Sequence, residues 1–345
     1  SLRTINKMSK ILVTGGTGYI GSHTVVELHN AGYEVIIVDN LSNSNIKILD
    51  QLEKITGKRF EFVELDLQDA SAVDAFAKQN QDLSGIIHFA AYKAVGESVE
   101  QPLKYYRNNF YSLINLLTAY PESNFVFSSS CTVYGQPDQL PVTEDSPVKK
   151  AESPYGNTKQ IAEEILVETA KVTPGLNVIA LRYFNPVGAH KTALIGELPN
   201  GVPQNLIPFI TQSAIGKRGP IQVFGNDYDT PDGSAVRDYI HVVDLAKAHV
   251  AAVKRLEDGK VDSYDVFNLG TGKGSSVLEI INAFEQSTGE KLDYKIAPRR
   301  EGDVEKTYGD VTKSKNVLGW QTELDLNEMM RSAWEWEKYI KDNPF

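Results

Sequence analysis

The stretch from Lys10 to Asp39 narrows the choice of fold more than any other part of the chain. Lys10 to Thr14 is a short β-type run, followed by Gly15-Gly16-Thr17-Gly18-Tyr19-Ile20-Gly21. Apolar residues then continue through Val25, Val26 and Leu28 at helical spacing, and Ala31-Gly32 ends the helix. A second β-run, Glu34 to Val38, finishes at Asp39. Strand, glycine turn, helix, strand and acid in that order is the context a dinucleotide fingerprint requires. The glycines let the backbone turn tightly and approach a pyrophosphate, whose charge meets the helix N-terminus. Asp39 stands where a carboxylate accepts ribose hydroxyls and repels a 2′-phosphate. No Arg or Lys follows it until Lys47, so the reading is NAD over NADP.

A second stretch, Phe127 to Lys159, carries candidate chemistry. It holds Ser128-Ser129-Ser130, then Val133-Tyr134-Gly135, and ends in Ser153-Pro154-Tyr155-Gly156-Asn157-Thr158-Lys159. Ser153 suits a helix cap and Pro154 a first helical position, so Tyr155 to Val172 is read as helical. Positions i and i+4 share a helix face, which lets Tyr155 and Lys159 point into one pocket. A phenol titrates at about pH 10, so service as a base at neutral pH needs about 4 kcal/mol of phenolate stabilisation. A neighbouring ammonium supplies part of that, and a cationic cofactor supplies more. Taken alone, such a pair equally describes two surface residues of a helix; its surroundings decide.

Those surroundings continue an α/β rhythm. Phe60 to Val63 reads as a strand leading to Asp66-Leu67, and Ile86 to Ala91 as a strand running into a small-residue turn. Leu103 to Tyr120 reads as a helix containing Asn108. Asn124 to Ser130 is a further strand, which puts Ser130 at a carboxyl end, where open α/β sheets bind ligands. His88 lies inside an apolar strand and is read as structural; Cys131 is read as a passive small residue. From Leu181 the texture changes to loop-rich segments, and Asn327 to Ile340 places Met330 and Trp334 at helical spacing as core. The expected architecture is a doubly wound parallel-sheet Rossmann domain at residues 8–182. A smaller mixed α/β substrate domain follows at 183–345, with some of its segments returning to the first. Residues 1–7 are read as a tag or upstream extension.

The 345 residues carry a net charge of −10, which argues against nucleic acid as a partner. Any anionic ligand must therefore be met by local Arg or by helix N-termini. No metal-ligand spacing occurs. A single cysteine excludes an internal disulfide and fits a reducing, cytoplasmic setting. No apolar run reaches membrane-spanning length, and no signal-peptide pattern opens the chain.

Glycine at every third position, with Tyr155 and Lys159 downstream, resembles the short-chain dehydrogenase/reductase superfamily. Further motifs sharpen the likeness: Lys93 to Ser98, Arg182 to Ala189, Phe224 to Tyr228 and Val236 to Val242. With these, Ile11 to about Trp336 is similar to the UDP-glucose (UDP-galactose) 4-epimerase family of extended members. The resemblance implies NAD held by Gly15, Gly18, Tyr19, Ile20, Gly21, Asp39, Asn40, Asn43 and Ser44. It adds Asp66, Leu67, Phe89, Ala90, Ala91, Lys93, Asn108, Ser128, Tyr155, Lys159 and Tyr183 to that set. It implies a UDP-sugar held by Lys93, Ser130, Tyr155, Phe184, Asn185, Asn205, Leu206, Val223 and Phe224, with Arg237, Tyr239, Arg300, Asp303 and Thr307. Arg237, between Val236 and Asp238, reads equally as half of a structural ion pair. Homodimerisation through Leu103–Tyr120 and Tyr155–Val172 is also implied.

The chemistry that follows is a transient oxidation. Carbon 4 of a pyranose has no acidic hydrogen, whereas a 4-ketone is planar and has lost its configuration. Tyr155 takes the hydroxyl proton while NAD accepts the hydride, and Ser130 or Thr132 hydrogen-bonds the oxygen. Lys159 tunes the phenol. Nucleotide-sugar 4,6-dehydratases on this scaffold place Asp-Glu before Val-Tyr-Gly, and decarboxylases a Glu at the second of those positions. Here Cys131 and Thr132 stand instead. A non-catalytic NAD sensor is the remaining alternative, but such proteins tend to lose the Tyr/Lys pair. Four residues beyond Asp303, Thr307 occupies the family's size-gate position and is expected to admit a 2-acetamido group, giving UDP-GlcNAc/UDP-GalNAc turnover as well. The competing reading makes Thr307 an exposed loop residue.

Overall fold

The computed structural model describes residues 8–345, so the expectation for residues 1–7 lies outside the described residues. The chain alternates strand and helix through β1 (Lys10–Thr14), α1 (Tyr19–Asn30), β2 (Glu34–Asp39), α2 (Ile48–Thr56), β3 (Glu61–Glu64) and α3 (Ala70–Gln79). It continues with β4 (Gly85–His88), α4 (Val95–Glu100), α5 (Pro102–Ala119), β5 (Asn124–Ser130), α6 (Pro154–Val172) and β6 (Asn177–Tyr183). The second half brings β7 (Asn185–Val187), α7 (Leu206–Ala214), β8 (Ile221–Phe224), β9 (Val236–Arg237), β10 (Tyr239–His241) and α8 (Val242–Glu257). It closes with β11 (Tyr264–Leu269), β12 (Ser275–Ser276), α9 (Val277–Thr288), β13 (Tyr294–Ala297) and α10 (Leu326–Asp342).

Seven strands form one parallel sheet in the order β11-β6-β5-β4-β1-β2-β3. The order reverses between β1 and β4, which opens the crevice where doubly wound sheets bind ligands. Successive side chains alternate across the sheet. Ile11, Val13, Val35 and Ile37 pack with α1, α2 and α8 on one face. Leu12, Ile36 and Val38 pack with α3, α5 and α6 on the other. Both faces are thus covered, as a parallel sheet requires. Its edge strand β11 and the covering helix α8 come from beyond residue 183.

Three short two-stranded sheets, β10-β7, β12-β9 and β13-β8, build the second layer. Its core joins Val187, Ile207, Ile210 and Phe284 to Met330 and Trp334 of α10, the two residues read as core from their spacing. Two strand expectations shift. The third strand starts at Glu61, not Phe60, and the fourth ends at His88. There Thr14 accepts from Phe89 N through both its carbonyl (3.0 Å) and its Oγ1 (3.2 Å), and Oγ1 also accepts from Ala90 N. These bonds draw the chain out of the sheet into a turn.

Candidate active site

The glycine turn after β1 forms one wall of a cavity of about 150 Å³ at the switch between β1 and β4. Gly15 has φ of +71°, a conformation that only glycine adopts without strain. At Gly21 a Cβ would stand 2.1 Å from the Gly15 carbonyl oxygen, so helix and turn touch backbone to backbone there. Gly15, Gly18, Tyr19, Asp39, Asn40, Asn43 and Ser44 line the cavity from the turn and β2. Asp66, Leu67, Phe89, Ala90, Ala91, Lys93 and Asn108 line it from the opposite side. Gly21 packs behind the turn, and Ile20 is buried in the core beneath it; neither is on the wall. Asp39 is held by Thr17 Oγ1, which donates at 2.7 Å, and by Leu41 N at 2.9 Å. A carboxylate has about four acceptor positions, so acceptor capacity remains for a ribose diol. The cradle therefore fits a dinucleotide.

The second constellation sits at the carboxyl end of β5 and the start of α6. Ser153 caps α6 by accepting from Gly156 N at 3.1 Å. Tyr155 follows, 6% exposed, its backbone N–H donating to Ser98 Oγ of α4 at 3.1 Å. Lys159 projects from the same face, 5.9 Å from the Tyr155 ring centre, and its Nζ donates to Ser128 O at 2.8 Å. Thr132 Oγ1 donates to Ser130 Oγ at 2.9 Å. Ser128 Oγ and Tyr183 Oη are buried without a hydrogen-bond partner among the described residues. Two orphaned hydroxyls beside the Tyr/Lys pair are what a site built around a polar ligand leaves exposed to that ligand. None of Ser128, Tyr155, Lys159 or Tyr183, all expected on the cofactor, belongs to the wall of the glycine-turn cavity.

The electrostatics differ from the sequence expectation. Burial pushes the Tyr155 phenol well above its ordinary value, Tyr183 adds to the rise, and a hydrogen bond with Ser130 opposes it. Burial, then the charge of Lys93, pulls Lys159 down to about 7, while Glu163 opposes. Lys159 alone therefore does not bring the phenol to neutral pH, because the same desolvation that raises the phenol weakens the ammonium beside it. Glu163 lies one helical turn beyond Lys159. It accepts from Ser129 Oγ at 2.6 Å and from Arg182 Nη2 at 2.6 Å, tying the serine strand to α6.

A second cavity, of about 480 Å³, is lined by Asn185, Asn205, Leu206, Phe224, Arg237, Tyr239, Arg300 and Asp303. Arg237 is not paired with its neighbour: Asp238 instead accepts from Thr271 N, Gly272 N and Gly309 N. Arg237 Nη1 donates to Val236 O at 2.8 Å. Arg300 stacks 4.6 Å from the Phe224 ring centre and donates to Asp303 Oδ2 at 2.9 Å. Six expected contacts lie off this wall: Lys93, Ser130 and Tyr155, placed above, and three more. Val223 is fully buried in the second core, and Phe184 packs with Val133, Tyr134 and Val142. Thr307 is half-buried, its N–H donating to Val236 O at 3.0 Å. Cys131 is free, its thiol pushed up to about 12 by burial. His88 is buried at 2.7 Å from Thr14 Oγ1, a structural placement. Among the described residues no group of side chains is arranged to hold a metal.

A UDP-glucose 4-epimerase of Haemophilus influenzae is 49% identical over 331 residues, covering 95% of this chain and 97% of the relative. The chain belongs to the UDP-glucose 4-epimerase family. The crystal structure of UDP-glucose 4-epimerase from Bifidobacterium longum, in complex with NAD⁺ and UDP, superposes with a TM-score of 0.92 at 45% identity. It covers 98% of this chain and all of that one. The UDP-Glc/GlcNAc 4-epimerase of Campylobacter jejuni gives 0.82 at 38% identity, covering 96% and 99%. A family profile described as GDP-mannose 4,6 dehydratase matches residues 12–333. Cys131 and Thr132 provide no carboxyl group where such dehydratases carry their acid pair, and the three relatives just described, each matched over nearly its full length, are epimerases.

Sequence reasoning missed residues whose work is to place others. Asn109 accepts from Tyr92 N at 3.0 Å and donates to Thr158 Oγ1 at 3.1 Å, clamping the Tyr92–Lys93 loop to α6. A helix Asn beside Asn108 gives no signal of its own. Tyr92 joins the cofactor-side wall, and Glu197 the substrate-side wall.

Proposed function

We infer that the chain interconverts UDP-galactose and UDP-glucose by transient oxidation at C4. The observation that carries this is the buried Tyr155–Lys159–Ser130 group at the end of β5 and the start of α6, in a molecule with one cavity walled by a glycine turn and another walled by arginines. The residues lining the first fit NAD, with Asp39 on the ribose and the α1 N-terminus on the pyrophosphate. Asn205, Arg237 and Arg300 anchor the nucleotide of the sugar in the second, supplying locally the positive charge that the acidic chain lacks overall.

Bound NAD supplies hydride acceptance from C4, hydride return to C4, and the positive charge beside Tyr155 that Lys159 alone does not provide. Tyr155 takes the 4-hydroxyl proton and gives it back after the sugar turns. Ser130, oriented by Thr132, hydrogen-bonds the C4 oxygen in both directions. Lys159 stabilises the phenolate. Arg237 and Arg300 hold the diphosphate and uridine while the planar 4-keto sugar presents its other face. Incubation with UDP-galactose and no added NAD is expected to yield UDP-glucose; dehydrated or decarboxylated sugar would reject the reading.

Two finer assignments belong to this reading. Leu103, Tyr111 and Ile114 of α5 and Val167 of α6 are exposed apolar residues on two helices that pack together, and we assign their surface to a homodimer. No helix of the described residues is long and apolar enough to cross a membrane; with one free thiol, we place the enzyme in the cytoplasm. Thr307 lacks the bulk of a gating Tyr, and a relative is a UDP-Glc/GlcNAc 4-epimerase, so UDP-GlcNAc is expected to turn over too. Thr307→Tyr is then expected to suppress the N-acetyl reaction about ten- to a hundredfold, the cost of overfilling a pocket. No UDP-GlcNAc turnover by the unaltered protein would limit it to the unsubstituted sugars.

A further inference from the structure

Two residues on the substrate-side wall have the wrong sign for the ligand that the wall is read to take: Asp303, which is paired with Arg300, and Glu197. Glu197 lies in the segment between β7 and α7 and lines the same cavity as Arg237 and Arg300. Its side chain is an acceptor for Asn205, whose Nδ2 donates to Oε1 at 3.0 Å. Its backbone is fixed from behind: Trp336 Nε1 donates to Glu197 O at 2.9 Å. The preceding Gly196 packs so closely on the Trp336 indole that a Cβ would stand 2.4 Å from it. On the other side Tyr19, which lines the cofactor-side cavity, feels the Glu197 charge and donates to Gly188 O at 2.5 Å. The cation acting on Glu197 is Lys93, itself on the cofactor-side wall. Glu197 therefore stands at the seam between the two cavities, with its backbone carbonyl held by Trp336.

A carboxylate held in a cavity for a diphosphate repels the ligand unless it takes a proton. Glu197 is half-buried on this wall, and its desolvation there raises the carboxyl to about 7, with Asn205 and Lys93 opposing. A protonated acid loses nothing toward Asn205, since its carbonyl oxygen still accepts, and it gains an O–H donor.

We propose that Glu197 is a proton-linked positioning residue: the nucleotide sugar binds with Glu197 protonated, so that substrate binding takes up one proton while Asn205 stays oriented. This rests on the nucleotide-sugar reading above. The probe is UDP-4-deoxy-4-fluoroglucose, which has no 4-hydroxyl to oxidise and no phosphate group titrating from about pH 6 to about pH 9. Binding to the purified holoenzyme is measured by calorimetry in two buffers of different ionisation enthalpy. Wild-type protein is expected to take up a proton near neutral pH, with affinity falling by up to about tenfold per pH unit above about pH 7. Glu197→Gln is expected to bind without that uptake and with flat affinity over the same range; Glu197→Met replaces it if the Gln variant does not fold. Lys159 titrates in the same range, so uptake that survives in the folded variant belongs to Lys159 and overturns the proposal. Wild-type binding with no proton uptake overturns it without any variant. No binding at all rejects the nucleotide-sugar reading itself.

Discussion

At the level of single residues, two groups divide the acid–base work unequally. In the proposed mechanism Tyr155 is the side chain that exchanges a proton with the sugar. Tyr155→Phe is expected to lower turnover about 10²–10⁴-fold, the usual contribution of a positioned acid–base group. UDP binding should persist, because Asn205 and the two arginines lie on another wall. Steady-state kinetics and UDP binding on one preparation check both halves, and near-normal turnover would remove Tyr155 from the mechanism. Lys159 matters through charge: removing it takes away positive potential, the phenol rises further, and the phenolate fraction is reached only at higher pH. Lys159→Met is therefore expected to move the rising limb of the pH–rate profile upward, and an unmoved limb would deny Lys159 its tuning role. That Tyr155 and Lys159 share one helix face was legible in their spacing. The protonation of the phenol was not, because spacing carries no information about desolvation.

Elements decide what those residues meet. The strand–turn–helix–strand unit was readable to within a residue because each boundary has a local cause: the Gly15 turn, the Gly21 contact and the Gly32 stop. Boundaries set by tertiary contacts were less readable, such as the end of β4, where Thr14 of a neighbouring strand captures Phe89. The same holds for side chains assigned by likeness alone. Val223 and Phe184 sit in motifs that border the substrate cavity, yet their side chains fill cores. The packed pair α5 and α6 leaves Leu103, Tyr111, Ile114 and Val167 exposed, Ile114 at 45%. Ile114→Asp places a charge where a partner helix would have to desolvate it. Sedimentation is expected to show a dimer for the parent and a monomer for the variant, with the circular dichroism unchanged. A parent that sediments as a monomer would reject the assignment of this face.

The whole molecule joins a sheet legible from its sequence rhythm to a second layer that was not, since its two- to four-residue strands pair over long separations and leave little periodic pattern. Burial at this scale also sets the acid limit of stability. His23 and His88 are drawn down to about 3, and His190, His241 and His249 to about 4, in each case chiefly by burial. Their folded values lie below the unfolded one, so the unfolded chain binds more protons. Their contribution is complete above about pH 6.5 and is lost as pH falls toward about 4, at about 1.4 kcal/mol per pH unit for each group. Carboxyls raised by burial, such as Glu27, Asp244 and Glu197, oppose this. Denaturation midpoints are expected to fall between about pH 6.5 and 4.5; a constant midpoint would mean these histidines do not titrate on unfolding. The central claim, oxidation and return at one carbon within one active site, is tested most directly with UDP-galactose carrying deuterium at C4. Without added NAD, the account predicts UDP-glucose with the deuterium still at C4; replacement of that label by solvent hydrogen would contradict it.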